Sequence, residues 1–173
     1  PRPETEELVA WIIAEHTGPN PTKRYPAGRN LTKPHRTAHV LRESSGPAPL
    51  RLLDIGTGSG CIAVSLAAEL RHSEVTALDV SAEALAIAAE NATFNHTAVA
   101  FVLHDILGPD LPPEFAPGTF DVVVSNPPYV TDGERNLMRP NVLNHEPTLA
   151  LFVPDNDPLK FYRAIAKHGQ TLL

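Results

Sequence analysis

From Leu50 onward, short apolar runs of strand length alternate with longer segments in which apolar residues recur at helical spacing. The predicted strands are LRLLDI at 50–55, EVTALD at 74–79, AVAFVL at 98–103 and TFDVVVS at 119–125. The predicted helices between them cover 60–70 and 81–94. This alternation is typical of βαβ units, in which helices cover both faces of a parallel sheet. The sequence therefore predicts an α/β fold.

Helical patterns also flank this region. Residues 3–16 begin with Pro3 and acidic residues and continue with apolar residues, among them Trp11, which we expect in the core. Ser81 is predicted to cap the helix at 81–94, because a serine side chain accepts from free N–H groups of a first turn. A last helix is predicted to open at Asp157 and to close at Gly169.

Residues 17–49 have no apolar period and are rich in Pro, Gly, Thr and Ser. Six Lys and Arg against one Glu give this segment a net charge of +5. Because the whole chain has a net charge of −6, the remainder carries −11. We expect a basic loop or partly disordered insertion. The three predicted parts are a leading helix at 1–16, this insertion at 17–49 and an α/β domain at 50–173, which contains the candidate chemistry described below.

Composition narrows the possible functions. The overall acidity argues against a surface built to neutralise nucleic-acid phosphates. No apolar run approaches the roughly 18–20 residues that cross a bilayer, so no membrane partner is predicted. His35 and His39 lie in the basic segment, where we expect solvated side chains and no metal. The single cysteine, Cys61, is predicted to be a small packing residue.

A glycine-rich turn follows the first predicted strand. Asp54 ends that strand, and Gly56, Gly58 and Gly60 lead into the next helix. Such glycines let the backbone approach a ligand closely, and the helix start exposes free N–H groups. The spacing is neither the dinucleotide fingerprint nor a phosphate loop. The turn therefore predicts a nucleotide-like ligand without implying phosphate.

Two more acids end the next two strands. Asp79 can accept from both ribose hydroxyls, and Asp105 can accept from an adenine amino group with Ile106 beside the ring. Any one of these acids alone would be a turn or capping residue. Together they line one crevice, because the carboxyl ends of parallel strands meet at one edge of a sheet. Acids repel phosphate, so the predicted ligand is an adenosine with a positive end, S-adenosylmethionine.

The fourth strand ends in Asn126-Pro127-Pro128-Tyr129. The prolines fix the backbone and remove donors, so nearby carbonyls can accept hydrogen bonds. We expect the Asn126 side-chain oxygen and the Pro127 carbonyl each to accept one hydrogen of a planar amino group, while the Tyr129 ring packs on its plane. Asn126 is assigned a positioning role, because no side chain of this tetrapeptide is an evident strong base.

The segments DIGTGSG, ALDVS, NPPY, PRPETE and HEPTLAL together resemble the HemK/PrmC family of protein-glutamine methyltransferases. The resemblance implies a Rossmann-like class I methyltransferase fold and S-adenosylmethionine-dependent methylation of the glutamine in the Gly-Gly-Gln motif of a peptide-chain release factor. It implies cofactor contacts from Asp54, Ile55, Gly56, Thr57, Gly58, Asp79, Asp105, Ile106 and Asn126. It implies substrate contacts from Asn126, Pro127, Pro128 and Tyr129, of which Asn126, Pro127 and Tyr129 are the candidate catalytic residues.

The resemblance places Arg2, Thr5, Glu6 and Glu146 near the pocket rim without a role, and a helix start explains Pro3 to Glu6 equally well. The family has a helical domain before PRPETE and further strands after the last helix predicted here, so we expect a fold truncated at both ends. A cytoplasmic or mitochondrial protein is expected. Two alternatives stay open: an adenine-amino methyltransferase acting on nucleic acid, because NPPY is shared with such enzymes, and a non-catalytic cofactor-binding module.

Overall fold

The computed structural model describes residues 3–17, 48–137 and 151–173. Helices and strands alternate up to residue 103, as the apolar pattern predicts, and two more strands follow at 122–131 without a helix between them. The helices are α1 (Pro3–Thr17), α2 (Cys61–Glu69), α3 (Ala82–Phe94) and α4 (Lys160–Leu172), with a 3-10 helix at Asp132–Leu137. The strands are β1 (Leu50–Ile55), β2 (Ser73–Asp79), β3 (Val99–Leu103), β4 (Val122–Ser125), β5 (Val130–Thr131) and β6 (Phe152–Val153).

Four strands form one parallel sheet in the order β3-β2-β1-β4. The chain proceeds outward from β1 to β3 and then returns to the other side of β1 with β4. Such a reversal leaves a crevice between the carboxyl ends of β1 and β4, where open parallel sheets bind their ligands. The predicted α/β fold with a parallel sheet is therefore confirmed, and the topology indicates where to look for a site.

Both faces of the sheet carry a core. Leu52 of β1 packs on one face with Ile12 of α1 and residues of α2, whereas Leu53 packs on the other face with Leu172 of α4. Successive residues of β1 are buried because side chains of a strand alternate between faces and each face is covered. Among the described helices, none is long and apolar enough to cross a membrane.

Several local predictions were wrong. Trp11 is 60% exposed, because the face of α1 that packs into the core is formed by Ile12 with Leu8, Val9 and Ile13, and Trp11 lies outside that face. The last helix begins at Lys160, three residues after Asp157, and runs through Gly169 to Leu172. Gly169 can stay helical because burial of Leu172 against the sheet favours another turn. By contrast, the cap at Ser81 is confirmed: its Oγ accepts from the Ala84 N–H at 3.2 Å.

Gly60 cannot be replaced without strain. Its φ is +84°, and an added Cβ would lie 2.9 Å from the Cβ of Ala88 in α3. We expect Gly60→Ala to lower the free energy of unfolding by about 2 to 3 kcal/mol, from the left-handed backbone and the overpacking together. Denaturant unfolding checks this, with Gly118→Ala as the control, since that glycine also has positive φ (+67°) but open space around its Cβ. Equal losses in both variants would contradict the packing argument.

Candidate active site at the carboxyl ends of the strands

The sheet brings the glycine turn and the Asn-Pro-Pro-Tyr corner (residues 126–129) to the same edge. Ile55 of β1 pairs with Ser125 of β4, so Gly56 and Asn126 leave neighbouring strands side by side. The Ser125 hydroxyl donates to the Ile55 carbonyl at 2.6 Å, and this hydrogen bond links the ends of β1 and β4. The turn and the corner therefore follow neighbouring strands at the place where the crevice is predicted.

Asp79 links two backbone turns through its carboxylate. Oδ2 accepts from the Gly58 N–H at 2.8 Å and Oδ1 accepts from the Ser81 N–H at 2.9 Å. These two donors fix the plane of the carboxylate. Because each oxygen has a second lone pair, both remain able to accept from a ligand hydroxyl.

Open space lies beside the glycine turn. The turn is held to β2 through the N–H groups of Gly56 and Thr57, which donate to the Leu78 carbonyl at 2.8 and 3.1 Å. Gly56 and Gly58 both have positive φ, and a Cβ added to either would meet no heavy atom within 4 Å. A ligand can therefore approach this backbone closely, which is what the residues of a nucleotide cradle must allow.

Asp54 is fully buried beneath the turn. Its Oδ2 accepts from the Thr57 hydroxyl at 2.6 Å, while Oδ1 has no partner among the described residues. Burial raises the pKa of Asp54 to about 6, against the hydrogen bond from Thr57 that lowers it. A buried acid with an unused oxygen below an open turn suits a cleft that receives a cation.

The raised pKa predicts a pH dependence of stability. Between the ordinary value of 3.8 and about 6, the folded protein holds a proton that the unfolded chain has lost. The free energy of unfolding therefore falls as pH rises through this window, by about 3 kcal/mol from this group. Asp54→Asn carries no titrating proton, so its stability relative to the native protein should rise from pH 4 to pH 7. Urea unfolding at each pH measures this, and two parallel stability curves would refute it.

The Asn-Pro-Pro-Tyr corner has an exposed and a buried part. Pro127 is buried, whereas Asn126 is exposed and Tyr129 is half exposed. Beyond the corner, β5 pairs with β6, and the Val130 N–H donates to the Leu151 carbonyl at 3.2 Å. The corner therefore lies between two strand pairs, β1–β4 before it and β5–β6 after it, and the Asn126 amide and the Tyr129 ring are accessible.

Asp105 and Ile106 lie at the far side of the sheet edge, after β3. Asp105 is exposed, and its Oδ1 accepts from the Leu107 N–H at 2.9 Å. Ile106 packs into the second core with 7% of its surface exposed. The next residue after Asp79, Val80, is 58% exposed, so it offers the accessible apolar surface that we expected from Ile106. Contact of Asp105 and Ile106 with a cofactor stays a prediction.

Two further side chains support this edge: Asn91, which sequence reasoning missed, and Thr5, which the resemblance placed near the pocket rim without a role. Asn91 of α3 donates through Nδ2 to the Ser59 carbonyl at 2.8 Å and so steadies the glycine turn. Thr5 of α1 accepts from the Asn126 amide at 3.1 Å. The helix-start interpretation of Pro3 to Glu6 is also confirmed, since α1 begins at Pro3. Neither contact has a signal in local spacing, because the partners are far apart in the chain.

A groove of about 280 Å³ runs between α1 and α2 and is lined by Glu6 and Cys61 among others. Cys61 is half-buried there, with Sγ 3.3 Å from the Ser59 hydroxyl, so it is less enclosed than a packing residue. No cluster of potential metal ligands occurs in the ranges that the structure describes. Arg2, His35, His39, Glu146 and the basic segment at 18–47 lie outside the described residues.

Comparison with known proteins gives consistent matches. The methyltransferase small domain model matches residues 38–145. A release factor glutamine methyltransferase of Bacteroides thetaiotaomicron is 45% identical over 173 residues, which are 100% of this chain and 50% of the relative. One of Flavobacterium psychrophilum is 45% identical over 168 residues, 96% of this chain and 48% of the relative. A bifunctional methyltransferase of Rickettsia felis is 35% identical over 174 residues, 100% of this chain and 32% of the relative.

The chain spans about half the length of the first two relatives. The family match contains the glycine turn, Asp79 and the Asn-Pro-Pro-Tyr corner, and it confirms the predicted methyltransferase fold. Sheet order, site geometry and family match agree: the chain belongs to the methyltransferase small domain family.

Proposed function

We propose that this chain is the catalytic part of an S-adenosylmethionine-dependent enzyme that methylates the side-chain amide of the glutamine in the Gly-Gly-Gln motif of a peptide-chain release factor. The observation that carries the proposal is the pairing of Ile55 with Ser125, which sets the Asn-Pro-Pro-Tyr corner beside the glycine turn. The names of the relatives at 45% identity support this substrate.

The residues of the turn suit the cofactor. Asp79 would accept from the ribose hydroxyls, the Gly56–Gly58 backbone would lie against the cofactor, and Asp54 would place negative charge beneath its cationic end. Asp105 would accept from the adenine amino group. When bound, S-adenosylmethionine supplies an electrophilic methyl: a C–N bond forms as the C–S bond breaks, and one amide proton leaves to solvent.

The corner would hold the substrate. An amide nitrogen is a poor nucleophile because its lone pair is delocalised, and it becomes positive as it is methylated. The Asn126 side-chain oxygen and the Pro127 carbonyl would accept its two hydrogens and so favour that developing charge. Tyr129 would pack on the amide plane and exclude water. The chain's contribution to rate is thus orientation and electrostatics.

Methyl transfer from labelled cofactor to a purified release factor tests the substrate. We expect one methyl group on the Gly-Gly-Gln glutamine and none on a release factor in which that glutamine is replaced. Label that still enters the replaced protein would refute the proposed substrate. Parallel incubations with RNA and DNA test the adenine alternative, for which we expect no methyladenine. Such a substrate implies a cytoplasmic or mitochondrial location, where translation terminates.

A further inference from the structure

Thr5 lies at the start of α1, 121 positions before Asn126, and its side chain reaches the Asn-Pro-Pro-Tyr corner. It is one of four polar or charged residues that are buried among those described, with 8% of its surface exposed. Asn126 Nδ2 donates to its Oγ1 at 3.1 Å. The Thr5 side chain is buried, whereas Asn126 is exposed. Thr5 is therefore the partner whose position is fixed by the surrounding protein.

Core packing sets this contact on both sides. Ile12 of α1 and Val124 of β4 belong to the same buried cluster, which holds the helix against the end of the strand. Ser125, next to Asn126, is fastened to β1 through its bond to the Ile55 carbonyl. Thr5 and the Asn126 backbone therefore keep a defined separation, although the Asn126 side chain itself has little packing around it.

We propose that Thr5 is a positioning residue that holds the Asn126 side chain in place for the methyl-transfer reaction; this inference rests on the proposed function. A side-chain amide has an acceptor end and a donor end that differ little in shape. In the orientation seen here Thr5 accepts from Nδ2, which leaves the amide oxygen for the substrate. A reversed amide would set its NH2 against the NH2 of the glutamine, and two donors form no hydrogen bond.

The contact also limits motion. An exposed asparagine samples several rotamers, and a hydrogen bond to a buried group selects one of them. Small misplacement of a group that orients the reacting atoms costs rate more than it costs binding. Loss of the Thr5 hydroxyl should therefore lower kcat with little change in KM for the release factor or in Kd for S-adenosylmethionine.

The test compares Thr5→Val, which keeps the volume but loses the hydroxyl, with Thr5→Ser, which keeps the hydroxyl. Both are made in the full chain and assayed with release factor and labelled cofactor. Thr5→Val should lower kcat about tenfold, whereas Thr5→Ser should stay within about threefold of the native enzyme. If Thr5→Val does not fold, Thr5→Ala takes its place. Thr17→Val is the matched control, because the Thr17 hydroxyl, among the residues that the structure describes, bonds within α1, to the Ile13 carbonyl at 2.7 Å.

A double-mutant cycle distinguishes positioning from a general effect on structure. In an Asn126→Ala background, Thr5→Val should cause no further loss, because the amide that it orients is gone. An equal tenfold loss in that background, or full activity of Thr5→Val alone, would overturn the inference while leaving the proposed function intact. A native enzyme that does not methylate the release factor would overturn both.

Discussion

Asn126→Ala is expected to lower kcat for release-factor methylation on the order of 10³-fold, the size of effect seen when one preorganised polar group is removed from an active site. The reason is differential binding. Hydrogen bonds from the substrate amide to Asn126 strengthen as the nitrogen becomes positive, so their loss raises the transition state more than the ground state. The Kd of S-adenosylmethionine should change by less than about threefold, since Asp79 and the glycine turn remain.

Single-turnover kinetics and calorimetry on the same preparations measure the two quantities. Asn95→Ala is a suitable control: Asn95 is also exposed, but it follows α3 and bonds to the Asn91 carbonyl at 2.8 Å. It should leave both values unchanged. Equal losses of turnover and cofactor affinity in Asn126→Ala would contradict the positioning role, because they would place the residue in the cofactor site alone.

Asp79→Ala is expected to weaken S-adenosylmethionine binding on the order of 10³-fold. Two hydrogen bonds from ribose hydroxyls to a carboxylate contribute roughly 1.5–3 kcal/mol each. The variant also loses the acceptor for the Gly58 and Ser81 N–H groups, so the turn is less ordered before binding. Asp79→Asn keeps one acceptor oxygen and should give a smaller loss.

Calorimetric titration with S-adenosylmethionine checks this order of effects. Asp110→Asn removes the same charge from an exposed acid and should leave Kd unchanged. At saturating cofactor, Asp79→Asn should recover most of the native kcat, because the residue acts on binding. If Asp79→Ala binds S-adenosylmethionine with the affinity of the native protein, the Asp79 carboxylate does not contact the cofactor.

Much of this architecture could be predicted because its causes are local. The run from Leu50 to Ile55 is mostly apolar and bounded by turn residues, so its strand limits were evident. Strand ends in a parallel sheet share an edge. That rule alone placed Asp54, Asp79 and Asn126 together. Capping at Ser81 likewise depends on a hydroxyl and a helix start that are adjacent in the chain.

The errors have a different origin. Strands β5 and β6 have two residues each, too few for any apolar period to register. Trp11 was misplaced because helical spacing gives a stripe but not which of its edges contacts the sheet. The Thr5–Asn126 bond depends on how α1 lies over β4, which is set by packing between distant residues. Contacts of this kind follow from tertiary geometry and not from spacing.

The two backbone hydrogen bonds to Asp79 bear on how fast a ligand can enter. Both N–H donors, from Gly58 and Ser81, belong to the protein itself, so the fold preorganises the Asp79 carboxylate. A preorganised surface loses little conformational entropy on association, and its on-rate is not limited by rearrangement. Stopped-flow mixing should therefore show a single exponential phase whose rate rises linearly with ligand concentration, without a plateau.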